Sequence, residues 1–330
     1  MKRVLIRLGK KVIAGIIMVF IVASLTFFLV RMMPGDPVQA QYDKLIMNGM
    51  TPDQAMSAVR VMYGFIPHQP LWEQYGHYVV QILHFNLGKS ISYEGVSVRH
   101  IILAAAPWTI VLVLTGTFAS FIIGILGGVI AAVRRSSSGG AALTVSGSVL
   151  HAVPKFVMAL LLAYVFTTVW AIFPFGAPYN AEYSPGLNWP FVTSVIDHAV
   201  LPVATYALGG YGGWLLTMKS SVVTTLGDDF ILASEVRGIK PSIRTRYIAH
   251  NAILPLFTTL ALTLGFMFGG SLFIEQIFDY PGLGNLMVNS INVRDYPLMS
   301  GTFLLITIAV IISNIVADLL YSVVDPRIRR

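Results

Sequence analysis

Three groups of side chains have types and spacings that could do chemistry, and each stops short of a complete site. Gly88-Lys89-Ser90 matches the tail of a phosphate-binding loop, in which backbone amides and a lysine cradle phosphate oxygens. Such a loop also needs a glycine five positions before Gly88, where Leu83 stands, and a strand leading into it, for which no context is evident. His77 and His84 would lie two helical turns apart, but no His-Glu-x-x-His spacing or comparable cluster accompanies them. The chain has no cysteine, so thiolate metal sites, disulfides and Cys nucleophiles are excluded. Lys155 and Asp318 are charges set within apolar runs, and they do not supply the acid pair, Ser/His pair or metal triad of an intramembrane enzyme. No catalytic residue, metal site or cofactor is expected in this chain.

A lysine at mid-membrane costs about 3 kcal/mol unless it meets water or a partner, which makes Lys155 the candidate for a cargo contact. The competing reading is that it snorkels to the cytoplasmic interface. That reading is favoured because Ala141 to Phe173 exceeds one span and its early part carries Thr144, Ser146 and Ser148. Asp318, near the end of its run, is expected to be a local hydrogen-bond partner.

The elements that would position these groups are membrane helices. Hydrophobic residues make up 55% of the chain and charged residues 11%, and the mean hydropathy is +0.73, outside the balance of a soluble domain. The formal charge of +7 sits in short clusters between apolar runs, which argues for membrane topology and against nucleic acid. Val12 to Val30 carries no charge, and its nineteen residues cover roughly 28 Å, close to one hydrocarbon thickness. The preceding Lys2, Arg3, Arg7, Lys10 and Lys11 look like a signal-peptide start, but no small-x-small cleavage site follows and a retained anchor is expected. Further runs cover about Ile101 to Val133, Ala141 to Phe173, Ala199 to Met218, Ala252 to Ile274 and Leu298 to Val324.

The expected fold class is therefore all-α, a polytopic membrane protein with six transmembrane helices in a single domain over 1–330. The tail and first span occupy 1–31, a sizeable external insertion 32–100, and a five-span core 101–330. Kinks are expected at Pro107, Pro154, Pro202 and Pro255, with close helix packing at Gly124-x-x-x-Gly128, Gly265-x-x-x-Gly269 and Gly209 to Gly213. Fifteen Lys and Arg residues fall in the two tails, the Arg134-Arg135 turn and the stretch Lys219 to Arg246, against six in the alternate loops. Both termini are thus expected in the cytoplasm.

Between the fourth and fifth runs, Gly227-Asp228-Asp229 is an N-cap signal, Phe230 to Arg237 a short helix and Gly238 its stop, with Pro241 placed to open another. Phe230, Ala233, Ser234 and Arg237 recur at helical spacing and would offer a face to a partner's groove.

This elbow, about 219–246, resembles the coupling loop by which importer permeases engage their ATPases, usually Glu-Ala-Ala, three residues, Gly, then an Ile-x-Leu-Pro-like stretch. Here it reads Leu232-Ala233-Ser234-Glu235-Val236-Arg237-Gly238 and ends in Asn251-Ala252-Ile253-Leu254-Pro255. Leu232 holds the place of the usual acid, and the spacing from Gly238 to Pro255 is about one residue short. A more specific block, Glu275-Gln276-Ile277-Phe278-Asp279-Tyr280-Pro281-Gly282-Leu283-Gly284 with Arg294-Asp295-Tyr296-Pro297, resembles the signature of the dipeptide/oligopeptide ABC transporter permease family. Asp318-Leu319-Leu320-Tyr321 with Asp325-Pro326-Arg327 agrees, as do Pro34-Gly35-Asp36-Pro37 and Asn86-Leu87-Gly88-Lys89-Ser90, which match the branch with a long first external loop.

The resemblance implies an inner- or plasma-membrane subunit of an ATP-driven, binding-protein-dependent importer. Its partners would be a second homologous permease, two cytoplasmic ATPases carrying ATP and Mg, and an extracytoplasmic solute-binding protein, with no nucleic acid. Asp229, Phe230, Ala233, Ser234, Glu235, Arg237 and Gly238 would couple to the ATPases, and Pro281, Gly282, Leu283, Gly284, Arg294 and Asp295 form the external motif. The Pro281 to Gly284 turn would lead into a short helix from Asn285, either near the mouth of the pathway or as a purely structural turn. Short peptides are the cargo the resemblance favours, with oligosaccharides or nickel carried by relatives. An autonomous channel or intramembrane enzyme is the alternative of another class, and it would need neither ATPases nor the elbow.

Overall fold

The computed structural model describes residues 2–32, 37–63, 70–93, 95–257, 259–260, 263–264 and 272–324. In chain order the helices are α1 (Lys2–Met32), α2 (Pro37–Met47), α3 (Pro52–Tyr63), α4 (Leu71–Leu83), α5 (Val98–Val133), α6 (Ser138–Ala152) and α7 (Lys155–Ala163). A π-helical turn, Tyr164–Val169, extends α7. Then come α8 (Trp189–Thr225), α9 (Asp229–Val236), α10 (Pro241–Ala252), α11 (Leu272–Ile277), α12 (Leu283–Asn292) and α13 (Tyr296–Val324). No β-strand occurs among the described residues, in agreement with the all-α expectation.

Among the described residues, four helices are long and apolar enough to cross a membrane: Gly9–Leu29 of α1, all of α5, all of α8, and Tyr296–Val316 of α13. The pair Ser138–Ala152 and Lys155–Val169 passes the same test together but is bent by 99°. The remaining predicted run, Ala252 to Ile274, is described only in part, and Gly265 and Gly269 lie outside the described residues. The bend has a local cause. Pro154 has no N–H and crowds the residue before it, and Val153 accordingly leaves the helical region with ψ 122°. Pro107 and Pro202, by contrast, sit inside α5 and α8, which run on past them.

The chain divides into two compact units. One comprises Met1–Thr109 and Pro281–Ile311. Its insertion after α1, whose fold the sequence left open, is helical. Thr51 and Gln54 form a reciprocal cap at the start of α3, each side chain accepting from the other's amide at 3.1 and 3.4 Å. Val38 and Leu45 of α2 bury against Ala55 and Val59 of α3. Tyr75 of α4 reaches α1 through its hydroxyl, 2.6 Å from Ser24 Oγ, and through its ring, stacked on Phe28.

The other unit comprises Ile110–Tyr280 and Ile312–Arg330. Here the predicted glycine face of α5 packs directly on α8. A Cβ at Gly124 would lie 2.4 Å from Trp214 Cβ, and one at Gly128 2.7 Å from the Leu215 carbonyl oxygen, so only glycine allows this approach. On another side of α8, a Cβ at Gly212 would meet the Gly147 carbonyl of α6 at 2.0 Å. Phe121, Trp214, Met218, Val222, Ile231, Ile248 and Leu256 form the core on which the elbow rests.

Candidate functional site

Three constellations carry the residues singled out in the sequence. In the first, α8 ends at Thr225 and α9 begins after Asp228, whose backbone is extended and whose side chain makes no cap. Gly238 takes φ +69° with open space around it, so glycine is required for conformation and not for close approach. That left-handed step lets the Ile239 amide reach back to the Ser234 carbonyl at 3.1 Å, closing α9. Pro241 then opens α10, and Arg244 of α10 pairs with Glu235 Oε1 of α9 at 3.0 Å. The result is the predicted helix, elbow and helix.

The faces of α9 differ from the expected ones. Ile231 and Ser234 are buried, and the Ser234 hydroxyl donates to the Ile231 carbonyl at 2.6 Å. Ser234 therefore belongs to the packed side, a correction to its placement on the outward face. Outward stand Phe230 (42% exposed), Leu232 (64%) and Val236 (82%), together with Asp229, Ala233 and Arg237. Leu232 and Val236 were missed as surface residues. Two large apolar side chains at i and i+4 on a short helix were the available signal.

In the second constellation, Gly282 precedes α12, which begins at Leu283, two residues before the expected Asn285. The Leu283 amide donates to Thr109 Oγ1 at 2.7 Å, and Leu283 and Leu286 bury with Val98, Ile102 and Leu298. Gly284 and Asn285 are buried too, so this turn is packed from within. Just before it, burial and then the nearby Glu275 carboxylate push the Tyr280 phenol up to about 12, which keeps it neutral.

Arg294 holds φ +57° at the end of α12, where the following amide, that of Asp295, donates back to the Ser290 carbonyl at 2.8 Å. Its backbone, not its charge, shapes this corner. Asp295 is fully buried, and its Oδ2 accepts from Ser90 Oγ (2.5 Å), Ser92 Oγ (2.6 Å), and the amides of Ile91 and Ser92 (both 2.9 Å). Its Oδ1 caps α13 through the Leu298 amide at 3.1 Å. The amides of Gly88, Lys89 and Ser90 are spent on Asn86 Oδ1 and the carbonyls of Met62 and Val96, and the two amides that follow bind an internal carboxylate. Gly88, with φ +79°, faces the Met62 carbonyl so closely that a Cβ would lie 2.6 Å from its oxygen. The motifs at Asn86 to Ser90 and Arg294 to Pro297 form one structure.

The third is Lys155, the first residue of α7, immediately past the 99° bend. Its Nζ lies 5.7 Å from the centroid of the Tyr206 ring, and a Cβ at Gly209 would come within 2.9 Å of its Cγ. Tyr206 is seven residues past Ala199 and Gly209 nine before Met218, so each is roughly 10–14 Å of helix from the nearer end of that run. The ammonium also points toward the turn farther from Lys219, which itself contacts Thr144 at 2.9 Å. Lys155 thus lies against the middle of α8, between Tyr206 and Gly209. The side chain of Asp318, the segment Pro34-Gly35-Asp36 and Asp325-Pro326-Arg327 lie outside the described residues. Among the described residues, no group of three or more His, Asp or Glu could hold a metal ion.

A family profile described as "binding-protein-dependent transport system inner membrane component" matches residues 124–330. The chain belongs to that family. The permease is 30% identical over 310 residues to the oligopeptide transport system permease protein AppB of Bacillus subtilis, a match covering 93% of this chain and 94% of AppB. It is likewise 30% identical over 322 residues to the glutathione transport system permease protein GsiC of Escherichia coli, covering 97% of each. The permease is accordingly a multi-pass membrane component of an ABC transporter, a transport subunit and not an enzyme. The family has no cofactor of its own, and its transport depends on ATPase and substrate-binding partners. The matched stretch contains the elbow, Lys155 and the motif from Pro281 to Asp295.

Proposed function

We propose that the permease forms half of an alternating-access pathway for short peptides, beside a second homologous permease. Two cytoplasmic ATPases bind ATP and Mg, an extracytoplasmic binding protein delivers cargo, and both termini of this chain are cytoplasmic. The whole chain acts as one transmembrane domain with an external insertion at 32–100 and a coupling loop at about 219–246. The observation that carries this reading is the elbow: a helix anchored inward by Ile231 and Ser234 yet exposing Phe230, Leu232 and Val236 to solvent. An apolar face of that size on a short helix is a docking surface for a protein groove.

Mechanically, α9 seats in the ATPase, and ATP-driven closure of the ATPases moves it. Its core anchors pass that motion to α8, a continuous helix of 37 residues, about 55 Å long. The docked states of the ATPases thereby bias the inward- and outward-facing states of the spans. Asp229, Phe230, Ala233, Arg237 and Gly238 act at or beside the contact, while Ser234 braces it from within and Glu235 through its exposed ion pair with Arg244. Peptide cargo is supported by the two relatives, one named for oligopeptides and the other for glutathione, a tripeptide; oligosaccharides and nickel are the competing cargoes.

The test is Ala233→Glu in the assembled transporter. The expected result is loss of ATPase co-purification and of ATP-driven peptide uptake, with the unfolding temperature of the permease unchanged. Uptake at the wild-type rate would overturn the assignment.

A further inference from the structure

Two independent features place an anion-reading group in the pathway. The first is the interruption of backbone at Val153-Pro154. Non-helical backbone at membrane depth is tolerated only where protein buries it or where it lines water, because lipid cannot satisfy free N–H and C=O groups. Among the described residues nothing covers the break: Ala152 and Pro154 are exposed and Val153 only half-buried. The break therefore faces either an aqueous path or the partner subunit that completes it. The second feature is Lys155 itself, beside the break and opposite the middle of α8. It makes no ion pair among the described residues, and its contact is the face of Tyr206, which attracts a cation without neutralising it. An ionisable group set within an apolar run marks a substrate or ion path.

The local geometry favours negative charge. Pro154 provides no side-chain cap to α7, so the free amides of the first turn and the ammonium present one sign of charge together. Gly209 leaves room for the lysine stem to lie along α8 and keeps the ammonium beside Tyr206.

We propose that Lys155 binds a carboxylate of the cargo during its passage through the membrane and so gives the pathway a preference for anionic peptide ends. This rests on the peptide reading above. The chemistry recognised is a carboxylate, with two sources on a peptide, the free carboxy terminus or an acidic side chain.

The experiment uses the whole transporter in proteoliposomes with its ATPases and binding protein, and three tripeptides. These are a neutral one with a free carboxy terminus, its carboxy-terminal amide, and an amide carrying one glutamate. Uptake is measured for the wild type, Lys155→Met and Lys155→Arg. Because the binding protein is common to all arms, a change in relative uptake between variants belongs to this chain. The expected result is that Lys155→Met lowers uptake of the free-terminus peptide relative to the neutral amide by roughly tenfold, the scale of one charge-assisted hydrogen bond. Lys155→Arg should keep that ratio, and uptake of the neutral amide should stay within about twofold throughout. A parallel loss for the glutamate amide would assign general carboxylate recognition, and an unaffected glutamate amide would assign the terminus. An unchanged ratio in Lys155→Met would overturn the proposal, as would equal loss of all three peptides, which marks a structural lysine. A wild type that imports none of the peptides would overturn the peptide reading itself, and the proposal with it.

Discussion

The elbow at α9 and the clamp at Asp295 are both tight turns between helices, yet they treat their surfaces in opposite ways. At the clamp, the buried carboxylate takes five donors, all supplied by the chain itself. At the elbow, two inward side chains and one ion pair hold the helix, and its apolar residues Leu232 and Val236 face solvent. A region satisfied from within is there to hold shape. A region stable on few contacts, with apolar surface to spare, is there to be grasped. Substitutions should therefore separate stability from transport along that division.

The largest effect is expected at the clamp. Asp295→Ala leaves the buried Ser90 hydroxyl and the partly buried donors of Ile91 and Ser92 without their acceptor, at a cost of about 2–3 kcal/mol. Thermal unfolding in detergent should show the loss, and Asp295→Asn should recover part of it. Next, Gly238→Val forces a β-branched residue into φ +69°, costing about 1–3 kcal/mol locally. ATPase co-purification should fail while the bulk unfolding temperature hardly moves; a large fall in that temperature would erase the contrast between the two regions. Leu232→Asp with Val236→Asp should weaken ATPase binding at least tenfold while shifting stability by less than about 0.5 kcal/mol. Glu235→Ala removes an exposed ion pair worth about 0.5 kcal/mol and should slow uptake only modestly. The smallest effect is at Arg294. Arg294→Gly relieves a left-handed non-glycine residue, so stability should hold or rise by about 0.5–1 kcal/mol, and transport should persist if its backbone matters and its charge does not.

The elbow was legible because its signals are local: a glycine at the stop, a proline at the next start and the basic residues around them. The phase of α9 was not. Spacing alone grouped Phe230, Ala233, Ser234 and Arg237, but Ile231 and Ser234 are the pair that packs inward, which turns the outward face by about 100° toward Leu232 and Val236. Only the core formed by Met218, Val222 and Ile248 sets that phase. The spans were legible from hydropathy, since their length follows from membrane thickness, whereas the 99° bend was visible only as a proline. The neighbours of Lys155 were hidden for the same reason: what a residue past a bend meets depends on which helix the second segment lies against. The clamp joins Ser90 and Asp295 across 205 positions, a pairing that no local pattern expresses.

Uptake by the purified permease in vesicles, measured alone and again with its partner permease, ATPases and binding protein, tests the grasped-handle account most directly. The account predicts no uptake by the single chain and ATP-dependent uptake by the assembly. Full-rate transport by the single chain without ATP would contradict it.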